Sequence, residues 1–244
     1  IDAIHHPVAG IEGSIGIESY YSDFDASGAE AFVPPTETTV QSLFAFEEIV
    51  LGVTRLQAAG RIDLSSVDSK DHLIFGAGRS RNFVTGGGSL GAVVTPFQDY
   101  SLATNLAFAQ RPPNAAELYA NGAHLATAQF EIGDTSLSSQ KSLGVEIVAR
   151  KETGRVTGSI GTYYNRIDDY INLIPTGDVF DTAELGHSHG GDPIIPVFRF
   201  ENIPTEFVGT EANVTVHAIE ASSYDVHVNF LADWVYARDR DRDE

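Results

Sequence analysis

Residues Ala107 to Ile171 read AFAQRPPNAAELYANGAHLATAQFEIGDTSLSSQKSLGVEIVARKETGRVTGSIGTYYNRIDDYI. Both ends of this stretch alternate apolar and polar residues, the period of a strand with one apolar face. Leu106 and Phe108 share a parity that Ala107 and Ala109 do not, and Leu143, Val145 and Ile147 repeat the pattern further on. Between them lies a long polar excursion through Arg111-Pro112-Pro113, Glu117-Leu118, Gly122-Ala123-His124 and Phe130-Glu131-Ile132-Gly133-Asp134. Glu152-Thr153-Gly154-Arg155 is a tight turn. Strands joined in turn by a long segment and a tight turn are the sequence form of a transmembrane β-barrel.

The same alternation continues outward in both directions. About nine strands are expected, over Gly10 to Asp23, Thr38 to Val50, Thr54 to Leu64, Asn82 to Thr95, Tyr100 to Gln110, Lys141 to Lys151, Val156 to Ile174, Phe198 to Ile219 and Ser223 to Arg238. Several exceed the usual five or six residues and suit a bilayer crossing. Short turns fall near Gly52, Phe97, Gly154 and Ala221; long connections fall at 24–37, 65–80, 111–137 and 175–197. An outer-membrane barrel keeps one end short and the other long. The expected fold is therefore all-β, an antiparallel up-and-down transmembrane β-barrel, here a partial one. Tyr163, Tyr164, Tyr170, Trp234 and Tyr236 are candidates for an interfacial aromatic girdle. The alternative is a soluble, acidic all-β binding or structural module, in which the apolar faces would meet in a dry core.

Composition sets the outer limits. Hydrophobic residues make up 42% of the 244 and aromatics 10%, enough to bury apolar surface. No run of about 18 apolar residues exists, so no spanning helix is expected; the mean hydropathy of -0.08 fits a barrel whose apolar residues occupy every second position. The net charge of -19 repels phosphate backbones and argues against nucleic acid as a partner. Without cysteine there is neither a disulfide framework nor a thiolate metal site. The chain begins at Ile1 and contains no methionine, as expected of a piece of a longer protein. His5-His6 reads as a loop remnant, and enzyme signatures do not emerge: no Gly-x-Ser-x-Gly elbow occurs, and Gly86-Gly87-Gly88 opens no helix.

Several groups of words resemble the barrel of TonB-dependent outer-membrane receptors. They are Arg111-Pro112-Pro113-Asn114-Ala115-Ala116-Glu117-Leu118 with Gly122-Ala123-His124-Leu125-Ala126-Thr127 and Phe130-Glu131-Ile132-Gly133-Asp134 through Leu137, then Tyr163-Tyr164-Asn165-Arg166-Ile167-Asp168-Asp169-Tyr170-Ile171, then Glu30-Ala31-Phe32-Val33-Pro34-Pro35-Thr36 and Phe207-Val208-Gly209-Thr210-Glu211. The resemblance implies a barrel of roughly 22 strands around a plug, so residues 1–244 would be one region, a central slice of the barrel with the plug domain absent. It further implies a bacterial outer-membrane location, lipid as a neighbour, the TonB complex as a partner through the plug, and uptake of a scarce small solute, a metal ion or metal chelate.

Candidate site residues follow from chemistry and placement. His187 and His189, flanked by glycines and followed by Asp192, offer neutral imidazole and carboxylate ligands to a borderline metal such as zinc, which would be cargo rather than a resident cofactor. His227, Asp225 and Glu211 fall on the polar parity of their strands and are expected to face the lumen as substrate-binding residues. His124 belongs to the excursion and is read as loop-packing or ligand-facing.

Overall fold

The computed structural model describes residues 1–26, 28, 31–124, 126–182 and 194–241. The described residues form one 12-stranded sheet and one short helix. In chain order the elements are β1 (Asp2–Val8), β2 (Ile11–Phe24), β3 (Thr36–Leu51), β4 (Thr54–Ser69), β5 (Arg79–Phe97), β6 (Tyr100–Arg111), α1 (Ala115–Tyr119), β7 (Asn121–His124), β8 (Gln129–Ile132), β9 (Gln140–Lys151), β10 (Val156–Asp181), β11 (Ile194–Glu220) and β12 (Asp225–Asp239). β1 to β6, β9, β10, β11 and β12 form an antiparallel meander. The turns at 9–10, 52–53, 98–99, 152–155 and 221–224 therefore share one end of the sheet, and the longer connections share the other. β1 and β12 are the open edges, as in a partial barrel.

Residues paired across antiparallel strands point to the same face, so the register assigns the faces. Ile15 pairs with Ala45, and Ile17 with Leu43; Leu43 pairs in turn with Ile62. The same parity carries through Leu90, Leu106, Val145, Tyr164 and Val208 to Tyr236. This outer face is mainly apolar across the meander, although Glu47, ion-paired to His5 of β1, shares it; its side chains are uncovered, Ile147 being 46% exposed and Phe230 58%. Among the described residues no second sheet covers it. The accessible surface, 15173 Å², exceeds the roughly 10,600 Å² of a compact soluble domain of this mass. The soluble-sandwich alternative fails on this point.

The opposite, inner face carries Glu18, Arg61, Asp63, Asn105, Glu146, Asn165, Glu211, Asn213, His217, His227 and Asp233. At the long-loop end the excursion folds onto it. Leu118 and Tyr119 of α1 pack with Leu137 against Val67 of β4, Phe83 of β5 and Ile171 of β10, with Phe200 of β11 alongside. β4 and β10 lie four strand spacings apart, roughly 19 Å in a flat sheet. One five-residue helix serves both because the sheet curls toward this face. The few fully buried residues are here, Leu118 and Pro113 among them.

Three expectations need correction. His5 and His6 lie in β1, hydrogen-bonded to β2, not in a loop. Much of 175–197 is strand, because β10 and β11 run on to 26 and 27 residues and pair with each other from Val156 to Asp181. A crossing takes about 9–11 residues, so the remainder stands above the membrane belt. Tyr163 lies on the inner face, and Tyr170 meets the ring of Phe207 edge-on at 5.7 Å; Tyr164, Trp234 and Tyr236 keep outer-face positions suited to a girdle.

Candidate functional site on the inner wall

Glycine shapes the wall. Gly209 pairs directly with Tyr163, and a Cβ there would lie 2.5 Å from the tyrosine Oη; the ring rests where a side chain would stand. Gly16 receives the ring of Phe44 in the same way. Aromatic cover of a strand glycine restores packing while leaving the wall low.

Polar groups on the wall fall into two kinds. One is self-satisfied: the Arg61 guanidinium donates to Glu18 at 2.8 Å, to Asp63 at 2.6 Å and to the Ser42 hydroxyl at 2.7 Å. The other is not. Glu211 stands directly opposite Asp233 on neighbouring strands, and Glu146 lines the same groove with Ser159 and Asn213. Like charges placed opposite each other are unfavourable, and none of the three carboxylates has a basic partner among the described residues. The groove therefore presents concentrated negative potential, which attracts cations.

The excursion is built as a rigid strut. Asn114 caps α1 by accepting from the Glu117 N–H at 2.9 Å, and the Glu117 carboxylate accepts from the Asn114 N–H at 2.7 Å, a reciprocal capping box. The same carboxylate takes two hydrogen bonds from Arg111, at 2.9 and 2.8 Å, so the nearly buried charge is compensated. The Tyr119 hydroxyl donates to the Val67 carbonyl at 2.7 Å; burial raises its pKa and keeps it a donor. β8 then pairs in parallel with β11 at Phe130–Val197 to Ile132–Arg199. Gly133 passes so close to α1 that a Cβ would lie 2.6 Å from the Tyr119 amide nitrogen.

The sequence-derived candidates separate here. His124 stacks on Phe32, with ring centroids 4.3 Å apart and planes 12° apart, and hydrogen-bonds Glu131 at 2.8 Å; its contacts are those of a packing residue that ties the 25–35 connection to the excursion. His227 and Glu211 are on the inner wall. Asp225 lies beyond a register break, opposite Glu220, and is not drawn together with Glu211. His187, His189 and Asp192 lie outside the described residues. Among the described residues no three His, Cys, Asp or Glu side chains converge as a metal site. Reading by strand parity missed the pairing of Glu211 with Asp233 and of His217 with His227, because parity gives a face and not a neighbour.

The family model described as "TonB dependent receptor-like, beta-barrel" matches residues 8–244. The chain belongs to the TonB-dependent receptor β-barrel family. Solved structures agree on the fold. The Serratia marcescens hemophore receptor HasR, in complex with its hemophore HasA and heme, superposes at a TM-score of 0.66 with 18% identity, over 96% of this chain and 40% of that one. The copper transporter OprC matches at 0.70 and 11%, over 96% and 36%. The FrpB iron transporter from Neisseria meningitidis (F3-3 variant) matches at 0.62 and 13%, over 98% and 35%. The chain thus spans well under half the length of the solved chains it resembles. Membership gives the two faces their meaning: the apolar face is the lipid face of a bacterial outer-membrane receptor barrel and the polar face its lumen. Members are receptors and transporters rather than enzymes.

Proposed function

We propose that this receptor barrel takes up a metal ion or a metal chelate across the outer membrane, driven through the TonB complex. The observation that carries the cargo class is the unpaired carboxylate groove of Glu146, Glu211 and Asp233 on the lumenal wall. A permeating cation, or a chelate with cationic character, is the partner such a wall favours. Heme, copper and iron, named for the structures compared above, are likewise metal ions or metal chelates. The glycine-flanked His187-Ser188-His189 segment with Asp192 is the part of the chain we assign to capture, with zinc as the ion that its ligand types suit. The test is uptake of radiolabelled zinc, copper, ferric chelate and heme by cells producing the full-length receptor. Uptake of one of them should require TonB, and Glu211→Gln/Asp233→Asn should reduce it several-fold. Unchanged uptake of every metal species on deletion of the receptor would defeat the proposal.

A further inference from the structure

Toward the long-loop end the apolar outer face closes with aromatic residues and then with basic ones. On β12, Trp234 and Tyr236 are followed on the same face by Arg238; on β10, Tyr164 is followed by Arg166. Barrel tyrosines and tryptophans on the lipid face sit at headgroup level, so the guanidiniums next beyond them stand among the headgroups. Arg166 pairs with Glu206 and Glu206 with Arg238, in one row across β10, β11 and β12. Arg240 follows Arg238, its N–H donating to the Pro204 carbonyl at 2.8 Å. Lys141 of β9 pairs with Asp168 beside them.

The carboxylates of this rim do not consume its cations. Asp168 is shared between Arg166, at 3.5 Å, and Arg240. Glu206 accepts from Arg238 and, at 2.8 Å, from the Tyr164 hydroxyl, and Asp169 accepts from Lys141 at 2.9 Å. Lys141, Arg166, Arg238 and Arg240 thus face only Asp168, Asp169 and Glu206. Each guanidinium has further donors beyond the one that meets a carboxylate, and the side chains of Arg166 and Arg238 are 50% and 52% exposed. The surplus is local: the chain carries a net charge of -19, and the same rim over β2, β3 and β4 presents Asp23, Glu37 and Asp68 in one row.

We propose that Arg166, Arg238 and Arg240 form a site for the phosphate of an outer-leaflet lipid, whose acyl chains lie on the apolar face of β10, β11 and β12. The planar guanidinium fork matches phosphate oxygens and binds them with charge-assisted hydrogen bonds. A lipid suits the site better than a free ion because the row continues directly into Tyr164, Val208, Trp234 and Tyr236 of the lipid face. The lipid site is independent of the cargo and holds or fails whatever the receptor transports.

The test is titration of the full-length receptor in zwitterionic detergent with lipid A, with dephosphorylated lipid A and with inorganic phosphate, read by native mass spectrometry. We expect lipid A to bind roughly tenfold more tightly than its dephosphorylated form, and Arg238→Gln/Arg240→Gln to lose that preference. Glu206→Gln releases Arg238 from its carboxylate and should tighten lipid A binding, the reverse of what a merely structural role gives. Arg150→Gln/Arg155→Gln, at the short-turn end, should leave binding unchanged. Equal binding of the two lipids, a preference that survives in the Arg238→Gln/Arg240→Gln variant, weaker binding in Glu206→Gln, or inorganic phosphate binding as tightly as lipid A would each overturn the assignment.

Discussion

Lys141 and Lys151 stand on the same outer face of β9, and Leu143, Val145, Ile147 and Ala149 are the only side chains of that face between them. Ten residues rise roughly 33 Å along a strand, and a tilt of 35–45° reduces that to roughly 25 Å, the height of an outer-membrane apolar band. Neighbouring strands end their apolar stretch in the same row: Leu143 pairs with Arg166, Arg166 with Glu206, and Glu206 with Arg238. A charged row on one side and Lys151 on the other bracket the bilayer.

Ile147 is near the middle of that belt. Ile147→Lys should destabilise the membrane-inserted receptor by about 2–4 kcal/mol. Val148→Lys, one residue on and facing the lumen, should cost much less. Equilibrium unfolding of both variants in lipid vesicles checks the assignment of faces, and equal losses would contradict it.

Gly133 sets the seating of the strut. A Cβ there would meet the backbone of α1 at 2.6–2.7 Å, and its own N–H donates to the Ala120 carbonyl at 2.7 Å. Gly133→Ala should therefore lift the excursion from the wall at a cost of about 1–3 kcal/mol. Limited proteolysis should cut between 112 and 139 while the heat-modifiable mobility of the barrel persists.

Asp134 makes the strut sensitive to acid. The Ser136 side chain and its N–H, the latter donating at 2.7 Å, hold the carboxyl below its ordinary value of 3.8. A group depressed in the folded state stabilises it above the unfolded pKa and ceases to do so as pH falls through the folded value. Protection factors in residues 129–137, taken against the intrinsic exchange rate at each pH, should be high above about pH 4 and fall on further acidification. Asp134→Asn should remove that dependence and exchange faster at neutral pH.

The His187–His189 segment should bind zinc weakly, since ordering a loop around an ion costs chain entropy. Neutral imidazole is the ligand, so affinity should fall as pH drops below about 6.5. Titration calorimetry of the full-length receptor against its His187→Ala/His189→Ala variant measures the contribution; identical affinities would remove the segment from the metal reading.

The amino-acid order alone determined the strands of the membrane belt, the sidedness of each and the short turns that join them. A lipid face demands an apolar residue at every second position, and that demand is written locally in runs such as Leu143-Val145-Ile147 and Val226-Val228-Phe230. Outside the belt the demand lapses, and so did the reading. The outer reaches of β10 and β11 contain Pro175, Gly177 and Pro196 and look like loop, yet they are strand because each supplies the other's hydrogen bonds. β1 is short, with Pro7 near its end, and is strand only because β2 lies beside it. The excursion's words are local, but its destination is not: β8 meets β11 some 65 residues later in the chain, and α1 finds Val67 and Ile171 only after the sheet has curled. Likewise Glu211 and Asp233, or His217 and His227, become neighbours through register. Register is fixed by turns and by the burial of whole faces, so tertiary structure decides which side chains of the wall act together.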